Sequence, residues 1–198
     1  MRERPIIFSG PMVRAILENR KCQTRRVVKP QIMDWTTNPA DVLWPARCSK
    51  KGLTELRPCP HGVPGDKLWV KETHHVFAHK PPGHNIQIEC VYRADPSSDE
   101  YDAVKWTPSI FMPRWASRIT LEITGVRVER VQDISATDAL AEGIAEDLRI
   151  GVMSEPTQPD DYIAAFSTLW DSVTKRGFGW DSNSYVWVVE FKRVEAER

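Results

Sequence analysis

The stretch Ile119-Thr-Leu-Glu-Ile-Thr-Gly-Val-Arg-Val-Glu-Arg-Val131 divides into two β-rich runs, ITLEI and VRVERV, with Gly125 between them as a bend or bulge. Working outward, Tyr185–Val194 (YVWVVEFKRV) is a further run dense in β-branched and aromatic residues. Asp66–Thr73 alternates Leu68 and Val70 against Lys67, Trp69 and Lys71, and Asn85–Arg93 sets Ile86, Ile88 and Cys90 at every second position. Ile6-Ile7-Phe8 is a shorter strand punctuated by Gly10-Pro11.

Three segments carry helical spacing instead. Val13, Ile16 and Leu17 recur along Met12–Asn19, with Pro11 suited to the first turn. Ser135-Ala-Thr-Asp138 opens a short helix in the manner of a capping box, and Gly143 stops it. Asp160 and Asp161 open another, whose stripe is Ile163, Phe166, Leu169, Trp170 and Val173. Residues 30–65 hold six prolines and no sustained period, which predicts a long loop or insertion. Strands therefore dominate, mostly without intervening helices. The class is α+β, and the order favours a small closed or half-closed β-barrel with helices packed on it.

A length of 198 residues suits a single domain. Lysine plus arginine equals aspartate plus glutamate, 27 against 27, so a case for nucleic acid has to rest on local clusters. The charged start (Arg2, Glu3, Arg4) and the lack of any long apolar run predict a soluble, cytoplasmic protein without a membrane span. In that compartment Cys22, Cys48, Cys59 and Cys90, irregularly spaced, read as free thiols. Of eight tryptophans, Trp35, Trp44, Trp106 and Trp115 fall in loop-like segments, where they can offer stacking surfaces.

The densest chemistry lies at Arg20-Lys21-Cys22-Gln23-Thr24-Arg25-Arg26. With Lys29 this run holds five cations and no acid; the acids Asp95, Asp99, Glu100 and Asp102 gather elsewhere. Such a run alone is a solvated face or a phosphate contact. A helical turn here would put Lys21 and Thr24 on one face. Neighbouring guanidinium groups would lower the lysine pKa, and a neutral amine beside a hydroxyl activates an oxygen nucleophile. Glu142, in the last turn before Gly143, stands where the helix dipole disfavours a carboxylate, a property wanted of a general acid. Pro113–Arg118 pairs Arg114 and Arg118 with Trp115, a combination suited to phosphate contact with base stacking. Cys48, Cys59 and His61, with His74, His75, His79 or His84, fit no standard zinc spacing, so no metal is assigned. Glycine-rich phosphate loops, nucleophile elbows and dinucleotide fingerprints are absent from the sequence.

Residues 20–26 resemble the Gly-x-Lys-x-x-Thr/Glu-x-Arg signature of ASCH domains, a branch of the PUA-like superfamily, with Asn19 where the signature has glycine. Pro64–Val70 is similar to the Gly-Asp strand that follows in that family, Ile119–Ile144 to its strand pair and short helix, and Val186–Val194 to its last strand. The whole chain looks most like the longer ASCH proteins of phages and prophages. The resemblance implies one PUA-like domain over residues 1–198, a barrel of about six strands with flanking helices, loop-rich insertions at about 30–63 and 74–118, and a cleft sized for RNA or a nucleoside. Small bacterial members include an amidohydrolase that removes acetyl from N4-acetylcytidine. Its proton acceptor, nucleophile and proton donor match Lys21, Thr24 and Glu142, with Arg26 or backbone N–H groups steadying the oxyanion. A modified nucleoside or RNA is then the partner, with no cofactor, metal or obligatory protein partner. Two other activities use the same surface. A non-catalytic RNA-binding module would grip phosphates with Arg20, Arg25, Arg26, Arg114 and Arg118 and stack a base on Trp115; a ribonuclease would cleave what it grips.

Overall fold

The computed structural model describes residues 1–29, 31, 34–37, 43–48, 54–56, 58–79, 85–101, 103–144 and 158–194. Its elements run β1 (Glu3–Ile7), α1 (Gly10–Leu17), β2 (Gln23–Val27), β3 (Asp34–Thr37), β4 (Leu43–Cys48), β5 (Thr54–Leu56), β6 (Lys67–Lys71), β7 (His74–His79), β8 (Gln87–Tyr92), β9 (Thr120–Arg130), α2 (Ala136–Ala141), α3 (Pro159–Val173) and β10 (Tyr185–Val194). The architecture is α+β. Its main sheet has five strands in the order β1-β6-β9-β10-β2, parallel only between β1 and β6. Strands β1 and β2 lie at its two ends, and no ladder joins them among the described residues.

The runs before and after Gly125 form one strand, β9, and the expected irregularity is there. Glu190 pairs with Gly125 and Phe191 with Ile123, so Thr124 is the extra residue of a bulge. Strand β10 buries both faces. Trp187, Val189 and Phe191 join Phe8, Ile16, Leu68 and Leu121 in the main core, while Val186 and Val188 meet Ala139, Phe166 and Trp170 from α2 and α3. A central strand covered on both sides reads as a continuous apolar run, as this one does.

The helices keep their predicted signals. Ser135 Oγ accepts from Asp138 N at 3.1 Å, and Gly143 follows α2 at φ +85°. Both proposed insertions contain strands. The segment read as loop carries β3-β4-β5, an antiparallel sheet of its own, and residues 74–118 carry the β7-β8 hairpin followed by 3₁₀ turns. Its root is tied to the main sheet by a partly buried ion cluster: Arg118 forks onto Glu72 at 3.0 Å through two nitrogens, reaches Asp95 at 2.7 Å and stacks 3.8 Å from the Tyr92 ring. Asp95 is thus a structural partner; the side chains of Asp99 and Glu100, and all of Asp102, fall outside the described residues, as do the side chains of Trp35, Trp44 and Cys48.

Candidate functional site

Helix α1 ends at Asn19, which adopts φ +57°. This left-handed position is one that glycine fills freely and asparagine tolerates. The turn aims the amides of Arg20 and Lys21 at the Ala15 carbonyl, at 2.8 and 3.0 Å. Lys21 then forms an isolated antiparallel bridge with Glu142, and β2 follows. The helical turn considered for residues 21–24 does not form: the backbone is extended, because α1 has been capped two residues earlier.

Glu142 caps the C-terminal end of α2. A Cβ on Gly143 would lie 2.9 Å from the Ala15 Cβ and 3.1 Å from that of Lys21, so the bare backbone lets the ends of both helices meet at Lys21. The Lys21 ammonium donates to the Glu142 carbonyl and to its Oε2, each at 2.7 Å, and lies 5.6 Å from the Phe8 ring centre. Both side chains are buried. Burial pushes the Lys21 pKa below the usual lysine range; Glu142 opposes that shift, and the charges of Arg26 and Arg25 add to it.

Alternation along β2 divides the remaining cations. Arg25 and Gln23 face α2 and α3. The Arg25 guanidinium meets Glu129 at 2.6 Å and Glu142 and Asp138 at 3.2 Å, 5.7 Å from the Phe166 ring centre. Gln23 Nε2 donates to the Asp138 carbonyl and side chain, and Arg127 links Glu129, Asp138 and Glu190. Burial works against the Asp138 carboxylate, but the Gln23 hydrogen bond and the charges of Arg25 and Arg127 hold its pKa below the usual value. The run that looks purely basic in sequence is therefore neutralised on this face by acids from β9 and α2.

Thr24 and Arg26 occupy the opposite face of β2, in register with Val189 and Trp187. Thr24 is buried, and its hydroxyl has no hydrogen-bond partner among the described residues. Arg26 donates to the Ile7 carbonyl at 2.8 Å and lies over Phe8 at 5.3 Å, with no carboxylate in ion-pair reach among the described residues. Beside it opens a cleft of about 460 Å³ between β2, the start of α1 and the end of α3, lined also by Met12, Lys29, His61, Trp170, Lys175 and Phe178. Burial, with Arg26 and Arg4 nearby, lowers the His61 pKa to about 4, so its imidazole is neutral at neutral pH.

Lys21 and Arg25 thus both contact Glu142, and Thr24 and Arg26 lie on the other face of the strand. Arg20 is exposed and paired with Glu18 at 2.8 Å. The segment with Arg114, Trp115 and Arg118 lies apart, against β1, β6 and β8. Arg114 pairs with Glu3 at 3.1 Å, Arg118 is committed to Glu72 and Asp95, and Trp115 is 62% exposed. Lys29, His61, Lys175 and Phe178 were not singled out as cleft residues by sequence. They come from three separate segments; Lys29 carried a signal as the end of the basic run, and His61 only as a candidate metal ligand. Among the described residues no cluster of three or more His, Cys, Asp or Glu side chains could hold a metal, and no helix is long and apolar enough to cross a membrane.

Compared with known proteins, the chain matches no family model, no curated protein and no solved structure.

Proposed function

We propose that the chain is a PUA-like ASCH domain and an amide hydrolase, removing an acyl group from the exocyclic amine of a cytosine nucleoside. The observation that carries this reading is the buried 2.7 Å pair of Lys21 and Glu142, with Thr24, buried and without a hydroxyl partner among the described residues, three positions along the chain. A lysine whose ammonium form is disfavoured by burial is suited to act as a base.

In this reaction the Lys21 ammonium first passes its proton to Glu142 along their 2.7 Å hydrogen bond, and the neutral amine then takes the Thr24 proton as Thr24 Oγ1 attacks the acyl carbonyl. Arg26, which no described carboxylate neutralises, steadies the oxyanion. The C–N bond breaks and Glu142 supplies the proton to the departing amine. Water then hydrolyses the threonyl ester, releasing the carboxylic acid and restoring the hydroxyl. The RNA-gripping alternative draws on Arg20, Arg25, Arg26, Arg114 and Arg118, of which all but Arg26 already have a carboxylate partner among the described residues.

The test is chromatographic loss of acetyl from N4-acetylcytidine, with Thr24→Ala and Lys21→Met beside the unaltered chain. The expected result is turnover abolished by both substitutions with the circular dichroism spectrum kept by Thr24→Ala. Turnover retained in Thr24→Ala overturns the mechanism.

A further inference from the structure

We infer that the cleft between β2, the start of α1 and the end of α3 binds a small carboxylate with an apolar or aromatic body, its carboxylate on Arg26. Lys21, Thr24 and Glu142 do not line this cleft, so the site goes beyond the hydrolase reading and has Arg26 alone in common with it.

The charge of the cleft departs from that of the chain. Cations and acids balance overall, 27 against 27, yet the described lining holds four cations, Arg25, Arg26, Lys29 and Lys175, and no acid. Arg25 is committed to Glu129, Asp138 and Glu142, Lys29 is already partnered, and Lys175 is exposed to solvent. Arg26 is different. Among the described residues its polar contact is the neutral Ile7 carbonyl, reached through Nη2. Burial works against its charged form, and the carboxylate that opposes this through space, Glu142, is itself held by Lys21 and Arg25. A guanidinium so placed favours a planar carboxylate, which its parallel N–H groups can meet with two bonds.

The rest of the lining agrees. Helix α1 starts at the cleft, with Ser9 and Met12 in the lining; its first turn holds no acid, and the Ser9 side chain makes no cap bond. The positive end of that helix therefore lacks an anion of its own and adds to the field around Arg26. One guanidinium and one helix end match a single negative charge better than the nearly double charge of a phosphate group. Neutral His61 adds no charge at neutral pH but offers one ring nitrogen as donor and the other as acceptor. Ile7, Trp170, Val173 and Phe178 supply apolar walls, and Ile7 and Val173, 44% and 55% exposed, are surface that the body of a ligand covers favourably. The far wall is held in place: Trp170 Nε1 donates to the Phe178 carbonyl at 2.9 Å, and the Phe178 amide to the Lys175 carbonyl at 3.1 Å. The volume of about 460 Å³ falls in the range of small-molecule sites.

The experiment is calorimetric binding to the full chain of phenylacetate, its neutral isostere phenylacetamide, acetate and inorganic phosphate, repeated with Arg26→Met and Val173→Trp. Phenylacetate should bind about tenfold or more tightly than the amide, which lacks the charge, and than acetate, which lacks the ring. Its advantage over the amide should vanish in Arg26→Met. Val173→Trp leaves Arg26 in place but narrows the cleft, and should weaken phenylacetate about tenfold or more. No phenylacetate binding at millimolar concentration overturns the inference, as does an advantage over the amide that survives Arg26→Met, or undiminished affinity in Val173→Trp. Acetate or phosphate binding as tightly as phenylacetate overturns it in favour of a bare anion site. The readout is binding and not turnover, so acetyl release from N4-acetylcytidine bears on the hydrolase reading alone.

Discussion

Arg26 on β2 donates through Nη2 to the Ile7 carbonyl on β1 at 2.8 Å, so a side chain joins the two strands that end the five-stranded sheet. Phe8 lies beneath that junction, with Arg26 at 5.3 Å and Lys21 at 5.6 Å from its ring. Replacing Arg26 by Met keeps much of the stem and removes the bond and the cation. We expect a loss of about 1–3 kcal/mol, the range for hydrogen bonds from charged donors, read as a lower urea midpoint with unchanged slope.

Asn19 tests whether the turn before Lys21 is a matter of backbone conformation alone. At φ +57°, Asn19→Gly should change stability little, whereas Asn19→Val should cost about 1–2 kcal/mol, because a β-branched residue is strained there. Thermal unfolding of the two variants checks this; a Val variant as stable as the Gly variant refutes the assignment.

His61 ties stability to pH. Its folded imidazole protonates near pH 4, while an unfolded one does so near 6.5. Between those values the unfolded chain holds more protons, so stability falls as pH drops from 6.5 to about 4. His61→Gln should flatten that part of the curve relative to the unaltered chain, in denaturant midpoints measured across the window.

The Glu72–Arg118 fork predicts the opposite pH signature. Glu72 is 1% exposed, and burial raises its pKa against the hydrogen bonds from Arg118. Arg118→Met leaves a buried carboxylate unpaired and should cost about 3–5 kcal/mol near neutral pH. A carboxyl with a raised folded pKa is penalised above that value and relieved as pH falls through it, so the cost should shrink in acid. Adding Glu72→Gln should recover much of the loss at neutral pH. No recovery would mean that Arg118 acts through Asp95 and Tyr92 instead.

Much of this was legible residue by residue. Leu68 and Val70 announce a strand because one face meets a core and alternation follows, and Val186–Val189 announce one as an unbroken apolar run because both faces are covered. Ser135 and Gly143 mark α2 because capping is local chemistry. The strands β3, β4 and β5 were hidden by the prolines around them, and β7 by its sequence, HHVFAH, in which histidines interrupt any apolar period. At the site, Lys21 and Glu142 each carried a local signal. The partners of Arg25 did not, since Glu129 and Asp138 reach it through sheet register and helix packing across more than a hundred residues. The helical turn at residues 21–24 was misread because Asn19, not Gly, terminates α1, and asparagine is a weaker stop signal in sequence.

Strand β2 has one ladder partner among the described residues, β10, with Val27 opposite Val186. Everything between those two residues in sequence forms a closed loop before the strand that carries Lys21, Thr24 and Arg26 gains its hydrogen bonds. We expect those residues to be assembled late in folding and, with Arg25 tied to Glu129, Asp138 and Glu142, to be released with the sheet and not before it. Amide hydrogens of β2 should exchange at the rate set by global unfolding, as slowly as those of β10, although β2 lies at the sheet's edge.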